Sequence, residues 1–597
     1  FLLEPELKQG RGGLRDAHIL QWMEIAEPIL ITSESRVLLD AVETLLSVRV
    51  ELHRVTGKRS DRLLLELQDE VAEQLKYKNA DELMGAVANA ARVITWTGDG
   101  AARRIERIRQ SRPIRKFLSR LRNRGIASDL DLDTGRLGLT QKADMTDPFL
   151  PLRAAVAATK CGAYLERASL EKLAESKTEM PQIWPEEARE LLIELLMSGP
   201  DAVPIIEDLD QYGLFAHLIP EWESCRSKPQ RNAYHRFTVD RHLLETVSVA
   251  AGLTTTVARP DLLVLGALLH DIGKGYPGDH TEVGVELVES IAKRMGYENN
   301  DVELLVGMVE HHLLLPDVAT RRDLDDDGTI KFVASAVKTL SLLSLLDALT
   351  EADSIATGSS AWSTWKAGLV RELVARVQHV LSGGDIDDVV EAGFPSQKQL
   401  DVMLTGEEVF SGDQFELTVI TNDKPGVFSK IAGVLALNGH DVIGADAFSE
   451  DGRALSIFSV AEKSYDLPKW EEISQQVQLA LDGRLDLAVR LGERSRIYIS
   501  ASTSAKPFEP KVEVDNLTSD FATVLEVSCP DGVGVLYRIT RAFAELDLNI
   551  VRARVQTLGS DVVDAFYVLD AKGRKIQDLD HLEEIELAVL RWLTTDL

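Results

Sequence analysis

The chain has 597 residues, 45% of them apolar, and a formal net charge of -30. That length implies several domains, and the acidity argues against a protein that grips nucleic acid, whose phosphates are met by Lys and Arg. Cys161, Cys225 and Cys529 are isolated and fit a reducing, cytoplasmic setting, and no apolar run approaches the roughly 18 residues of a membrane span.

The chain opens at Phe1, directly in apolar sequence, and reads as a fragment lacking an upstream segment. Residues 1–125 form a first helical region. Gly10, Gly12 and Gly13 make a turn before the helix that carries Trp22, and Val37 to Val55 places apolar residues at three- and four-residue intervals. Arg103 to Arg124 is basic, with sparse apolar positions, and reads as a solvated helix.

Residues 126–232 form a second, mainly helical linker region. Its start alternates polar and apolar residues through Ser128-Asp-Leu-Asp-Leu-Asp133 and then meets Thr134-Gly135, which predicts a short hairpin. Helical periodicity returns over 148–218. The polar stretch 222–234, with Pro229, reads as a connection.

Residues 233–392 form an all-α domain rich in histidine: His235, His242, His270, His280, His311 and His312. A connection over 393–413 follows. The texture then changes. Phe415–Thr421 and Ala454–Ala461 are β-rich, with a helical Val427–Leu437 between them. The order recurs at Thr523–Cys529, Val535–Leu546 and Val562–Leu569. Two α+β, ferredoxin-like βαββαβ modules are therefore expected, at 414–495 and 522–597.

The strongest chemical signal is Leu268-Leu269-His270-Asp271-Ile272-Gly273-Lys274-Gly275. An imidazole and a carboxylate at one helix end can reach one cation, and such donors suit Mn or Mg, and also Fe or Zn. A lone His-Asp pair is more often a capping Asp beside a buried His. Context changes that reading. Upstream, Phe237-Thr238-Val239-Asp240-Arg241-His242 opens a helix, with Thr238 as its N-cap. Downstream come His280, His311-His312 and Asp353.

This order resembles the HD phosphohydrolase superfamily. The resemblance implies that His242, His270, Asp271 and Asp353 ligate a first metal. His280, His311 and His312 either complete a second metal position or sit behind the first ligands and contact phosphate. His235 is a further active-site or hydrogen-bonding residue. A bound cation brings the pKa of water toward about 7. Asp271 can accept a proton, while Lys274, His311 and His312 can face a phosphate; for Lys274 the alternative is a solvated lysine past a helix end.

In the modules, Thr421-Asn-Asp423-Lys-Pro-Gly426-Val427-Phe428 and Ser528-Cys-Pro-Asp531-Gly-Val-Gly534-Val-Leu536 each join a strand to a helix. Glycine lets backbone approach a ligand, and a helix N-terminus offers N–H groups to a carboxylate. Turns after the helices carry Asn438 and Asn549. The arrangement resembles ACT domains, which bind amino acids between paired modules, with association alone as the alternative. Asp423, Gly426, Val427, Asn438, Asp531, Gly534 and Asn549 are the candidate ligand residues, Asp423 as partner of a ligand ammonium.

Taken together, the chain resembles the PII uridylyltransferase/uridylyl-removing enzymes along nearly its whole length. Glu4-Pro-Glu-Leu-Lys8, Gly12-Gly-Leu-Arg-Asp16, Tyr234-His235-Arg-Phe-Thr-Val-Asp-Arg-His242, Trp362-Ser-Thr-Trp-Lys366 and the domain order carry the likeness. It implies the PII signal protein as partner, glutamine as effector, UMP or AMP as the group moved, and Mg for nucleotidyl transfer. Transfer needs a Gly-Ser turn followed by an Asp-x-Asp pair. Asp129-Leu-Asp131 has no Gly-Ser before it, Asp208-Leu-Asp210 lies in helical sequence, and Gly559-Ser560-Asp561 falls inside the second module. Rival readings are a guanosine-tetraphosphate hydrolase, an RNA-end nucleotidyltransferase, and a non-catalytic amino-acid sensor on a degenerate HD scaffold.

Overall fold

A computed structural model of the chain describes residues 2–26, 30, 32–110, 128–133, 135–176, 178–230, 236–324, 326–358, 361–362, 364–384, 394–461, 467–499, 509–516, 519, 521–555, 557–558 and 561–594. His235, most of the basic stretch 103–124 and part of the 393–413 connection lie outside them. The chain separates into two compact units, 1–312 with 341–362, and 313–340 with 363–597. The expected 233–392 domain is thus shared between two units.

The first unit begins with α1 (Leu14–Ala26), α2 (Thr32–Thr56), α3 (Gln68–Gln74) and α4 (Ala80–Gln110). On α2, Leu38, Ala41, Leu45, Val48 and Leu52 repeat at helical spacing and are buried in one core with Val87, Ile94 and Ala101 of α4. Gly12 has φ +75°, and its Cα faces the carbonyl of Ala91, so that turn admits no side chain.

The predicted hairpin forms as β1 (Leu130–Asp133) and β2 (Arg136–Leu139), antiparallel with Leu130 opposite Leu139. A third strand, β3 (Tyr164–Leu165), lies parallel to β2. Helices α5 (Leu150–Cys161), α6 (Arg167–Glu175), α7 (Glu186–Met197), α8 (Ala202–Gln211) and α9 (Leu214–Leu218) supply the expected periodicity.

The exposed connection expected at 222–234 is corrected at its start. Pro220–Cys225 is a 3-10 helix with Trp222 and Cys225 buried, because Trp222 Nε1 donates to Asp210 Oδ1 at 2.9 Å. Asp210 also pairs with Arg92, which pairs in turn with Asp240. Asp208 accepts from Trp96 Nε1 at 3.1 Å. Both carboxylates of Asp208-Leu-Asp210 are therefore spent on core polar contacts.

The histidine-bearing helices of this unit are α10 (Val239–Gly252), α11 (Pro260–Leu269), α12 (His280–Arg294) and α13 (Asn299–Glu310). Leu262 to Leu269 of α11 is buried without a break, as a central helix requires. Thr238 occupies the N-cap position of α10, but its side chain makes no capping bond, so that expectation is corrected.

The second unit contains α14 (Leu314–Arg321) and α15 (Asp327–Val337). Next in the chain, α16 (Leu340–Thr357) lies in the first unit from Ser341 onward. The second unit resumes with α17 (Thr364–Leu381) and α18 (Gln397–Thr405), then two modules. The first module comprises β4 (Val409–Asp413), β5 (Glu416–Asn422), α19 (Val427–Leu437), β6 (Val442–Glu450), β7 (Arg453–Val460) and α20 (Trp470–Leu481). After α21 (Leu487–Ile499), the second comprises β8 (Lys511–Asp515), β9 (Thr523–Pro530), α22 (Val535–Glu545), β10 (Asn549–Arg554), β11 (Thr557–Leu558), β12 (Asp561–Leu569) and α23 (Leu579–Thr594).

The sheets run β4-β5-β7-β6 and β10-β12-β9-β8, with β11 on β12. In each module the outer strand precedes the repeat instead of closing it, so the order is ββαββα where βαββαβ was expected. The described modules begin at 409 and 511, ahead of the expected 414 and 522. Core residues of α19 and α22, among them Ile431, Val434, Ile539 and Phe543, belong to one apolar cluster with the sheets. Among the described residues no single helix is long and apolar enough to cross a membrane.

Candidate metal centre and ligand cavities

Five helices of the first unit bring their residues together at Asp271. His242 comes from the first turn of α10, His270 and Asp271 follow the last residue of α11, and Asp353 comes from α16. His280 opens α12, and His312 follows α13 by two residues. Gly273 makes the convergence possible: a Cβ there would run into the carbonyl of His280 and the backbone of Gly284, so the turn after Asp271 packs directly on the start of α12.

Asp271 faces two ways. Its Oδ2 lies 3.5 Å from His270 Nε2 and 3.7 Å from His242 Nε2. Its Oδ1 lies 3.6 Å from His312 Nε2 and 3.9 Å from His280 Nε2. Two triads that could hold a metal result, His242–His270–Asp271 and Asp271–His280–His312, sharing one carboxylate. Asp353 Oδ1 adds to the first, 2.9 Å from His242 Nε2 and 3.6 Å from His270 Nε2.

The rings are aimed by the backbone. His270 Nδ1 sits 3.0 Å from the Ala267 carbonyl and His312 Nδ1 sits 2.6 Å from that of Val309. Each Nδ1–H donates there, leaving Nε2 as the inward lone pair, the usual support for a metal-ligating histidine. His270 Nε2 and Asp271 Oδ1 are buried and have no hydrogen-bond partner among the described residues. Buried polar atoms left so are costly, and a divalent cation satisfies both, so the donor set fits a metal.

Two carboxylates held ionised concentrate negative charge at this point, where His270 holds a proton that a cation would have to displace. Burial alone pushes the His270 ring down, but the Asp271 and Asp353 carboxylates outweigh it and raise the ring to about 10. Burial works against ionised Asp271, yet Lys274 and His270 hold its carboxyl well below the usual range. Asp353 is likewise held low against burial by His242 and His270. Burial lowers His312, which favours the neutral ring that a metal needs.

One expected ligand differs, and one alternative falls away. His311 is absent from both triads, and its Nε2 lies 3.8 Å from Glu310 on the partly exposed side of the helix end. Lys274 is not a solvated lysine: its Nζ lies 2.5 Å from Asp271 Oδ2 and donates to Gln230 Oε1 at 2.9 Å. Gln230, buried on the connection before α10, is a contact that sequence reading missed; nothing in its surroundings marks it.

In the second unit the ligand candidates sort across the two modules. Asp423, Gly426 and Val427 line a cavity of about 40 Å³ together with Asn549 of the other module. Asp531 and Gly534 line one of about 440 Å³ with Gly439 and Asp441 of the first module and Asp564. Asn438 lines neither, since its amide donates to the Val434 carbonyl and Gln476. Gly426 and Gly534 cap α19 and α22 with φ +83° and +76°, conformations that favour glycine. Burial raises the Asp423 carboxyl, which also bonds Ser449.

Comparison with known proteins agrees with this geometry. The HD domain family matches residues 239–356, the family described as GlnD PII-uridylyltransferase matches 1–97, and the ACT domain family matches 523–576. The bifunctional uridylyltransferase/uridylyl-removing enzyme of Streptomyces coelicolor is 39% identical over 96% of this chain and 76% of its own length. That of Mycobacterium tuberculosis is 36% identical over 96% of this chain and 75% of its own length. The chain belongs to this family. HD domains are metal-dependent hydrolases, and the two triads are groups that could hold a metal in this family member. The first module shares the strand order of the ACT-matched second one, so the chain carries a tandem pair.

Proposed function

We propose that this chain removes a nucleotidyl group, UMP or AMP, from a tyrosine of the PII signal protein by hydrolysis, under control by glutamine. The observation that carries the reading is Asp271, itself buried, shared between two triads inside the HD-matched segment of a chain from this family. Water adds to phosphorus, the bond from phosphorus to the tyrosine oxygen breaks, and that oxygen leaves with a proton as the phenol.

His242, His270 and Asp353 would hold one divalent cation and His280 and His312 a second, with Asp271 common to both. Mn or Mg fits such a mixed set, as do Fe and Zn. Bound cations would supply an acidified water and offset phosphoryl charge. The chain's own residues do the rest. The Ala267 and Val309 carbonyls fix two rings, and Lys274, held by Asp271 and Gln230, sets an ammonium at the centre for a phosphoryl oxygen. The complete ligand set argues against a non-catalytic scaffold.

Glutamine fits the second cavity better than the first. About 40 Å³ holds little more than ordered water, whereas about 440 Å³ is within the range of small-molecule sites. There the N–H groups at the start of α22 face a carboxylate, and Asp531 and Asp564 offer carboxylates to an ammonium.

The test is incubation of the chain with nucleotidylated PII, with and without Mn and glutamine, followed by intact mass. Loss of one nucleotidyl mass that needs Mn and is faster with glutamine is the expected result. An unchanged PII mass under all conditions refutes the reading.

A further inference from the structure

The chain leaves the metal centre at His312 and enters the second unit at Leu313. Eight residues of α14, Leu314–Arg321, follow at once. A single helix of that length is a stiff rod, and its far end is fastened to the second module at several points. Arg321 pairs with Glu526 of β9 at 3.3 Å and Arg322 with Asp515 of β8 at 2.9 Å. Arg376 of α17 donates to the Leu324 carbonyl at 2.9 Å.

Asp323 is the centre of this fastening. It is 1% exposed. Its backbone N–H donates to Tyr567 Oη at 2.6 Å, and its carboxylate lies 3.3 Å from Arg552 Nε and 3.9 Å from Arg554 Nη2. Arg552 stands directly opposite Tyr567 in the pairing of β10 with β12, so the two project from one face of the sheet. Arg554 also pairs with Asp446 of β6, which ties both modules to the same point.

The larger cavity draws on the same strands. Val442 of β6, Val555 just beyond β10, and Val562 and Asp564 of β12 line it. Asp564 and Tyr567, three apart on one strand, project to opposite faces. The strands that line the cavity thus also grip Asp323.

We propose that Asp323 is the residue through which the paired modules set the position of His312 and so the rate of hydrolysis. A ligand that prefers one arrangement of β6, β10 and β12 shifts the Arg552–Arg554–Tyr567 grip, and α14 carries the shift to the residue that follows His312. A ligand moves such an equilibrium only by its different affinity for the two arrangements. This inference rests on the proposed function and names its regulation.

The test uses the whole chain with nucleotidylated PII, Mn and glutamine, comparing the parent with Asp323→Asn and Asp323→Glu. Hydrolysis is read by intact mass, glutamine binding by calorimetry, and folding by thermal melting. The parent is expected to speed up about tenfold with glutamine. Asp323→Asn is expected to bind glutamine as the parent does, to keep the glutamine-free rate within about twofold, and to respond less than about twofold. Asp323→Glu keeps the charge and restores part of the response. Should Asp323→Asn melt early, Arg552→Met tests the same contact from the strand side. A full glutamine response in Asp323→Asn or Arg552→Met overturns this inference and leaves the proposed function standing. A parent that hydrolyses but ignores glutamine overturns the sensing reading and this inference with it, and a parent that does not hydrolyse overturns the proposed function itself.

Discussion

Asp353 Oδ1 lies 2.9 Å from His242 Nε2, joining the end of α16 to the start of α10 across most of the HD segment. The centre is therefore assembled by tertiary packing of whole helices, and its members can be removed one at a time without cutting an element.

Asp271→Asn is expected to lower hydrolysis more than His280→Ala, because Asp271 belongs to both triads and His280 to one. Loss of a partner that supports a metal ligand typically costs about 10–100-fold, so Asp271→Asn, which alters a donor common to both triads, should fall at or beyond the upper end. His311→Ala should stay within about twofold, since the ring lies outside both triads. Steady-state rates with metal content by mass spectrometry check all three. Equal losses for His311→Ala and His280→Ala would contradict the assigned geometry.

Metal affinity should rise with pH. The His270 ring is raised from 6.5 to about 10 in the metal-free fold. A raised folded value means that the protonated ring stabilises the fold fully below about 6.5 and that this support is lost as pH climbs through about 10. A cation requires the neutral ring and must displace the proton. Mn titrations at several pH values should show about tenfold tighter binding per unit across that window, with release of about one proton. A flat affinity would count against His270 as a ligand.

Glutamine binding should depend on Asp531 more than on Asp423. Asp531 lines the cavity of about 440 Å³ and Asp423 the one of about 40 Å³. Loss of a charge-assisted bond costs about 1.5–3 kcal/mol, or roughly 10- to 100-fold in affinity. Calorimetry on Asp531→Asn and Asp423→Asn decides between the cavities, and a larger loss in Asp423→Asn would move the ligand to the first.

Arg92→Ala should destabilise the first unit by about 3–5 kcal/mol, the usual effect of breaking a buried ion network from one side. The change removes the buried cation that Asp210 and Asp240 share, both of which Arg92 meets below the surface, and leaves Asp210 with Arg226 and Trp222. Urea unfolding measures it. A loss under about 1 kcal/mol would show the network to be no stronger than a surface pair.

Much of this was legible in the sequence. His270-Asp271 after an unbroken apolar helix, with His242 before and Asp353 after, marked the first triad and the carboxylate beside its two rings. The repeat of strand, glycine turn and helix marked both modules. Adjacent histidines were harder: His311 and His312 differ by about 100° around a helix end, so one points in and the other out, and spacing alone does not say which. His280 reaches Asp271 only through the close approach at Gly273, which is a tertiary fact. Crosswise sorting of Asp423 with Asn549 is another, since it depends on how two modules pair. The outer strands β4 and β8 are five residues each and partly charged, so they resemble connections.

Those short outer strands have a consequence for solubility. An open sheet edge is a template on which further chains can polymerise. The inner edges, β6 and β10, are stitched by Arg554 and Asp446 within one molecule. The outer edges are formed by β4 and β8, where Ser411 and Asp413 of one and Lys511 and Glu513 of the other are exposed. A third sheet adding at either edge would have to dehydrate those groups along a ladder only five residues long. Short, polar outer edges thus work against extension of the side-by-side array beyond two modules.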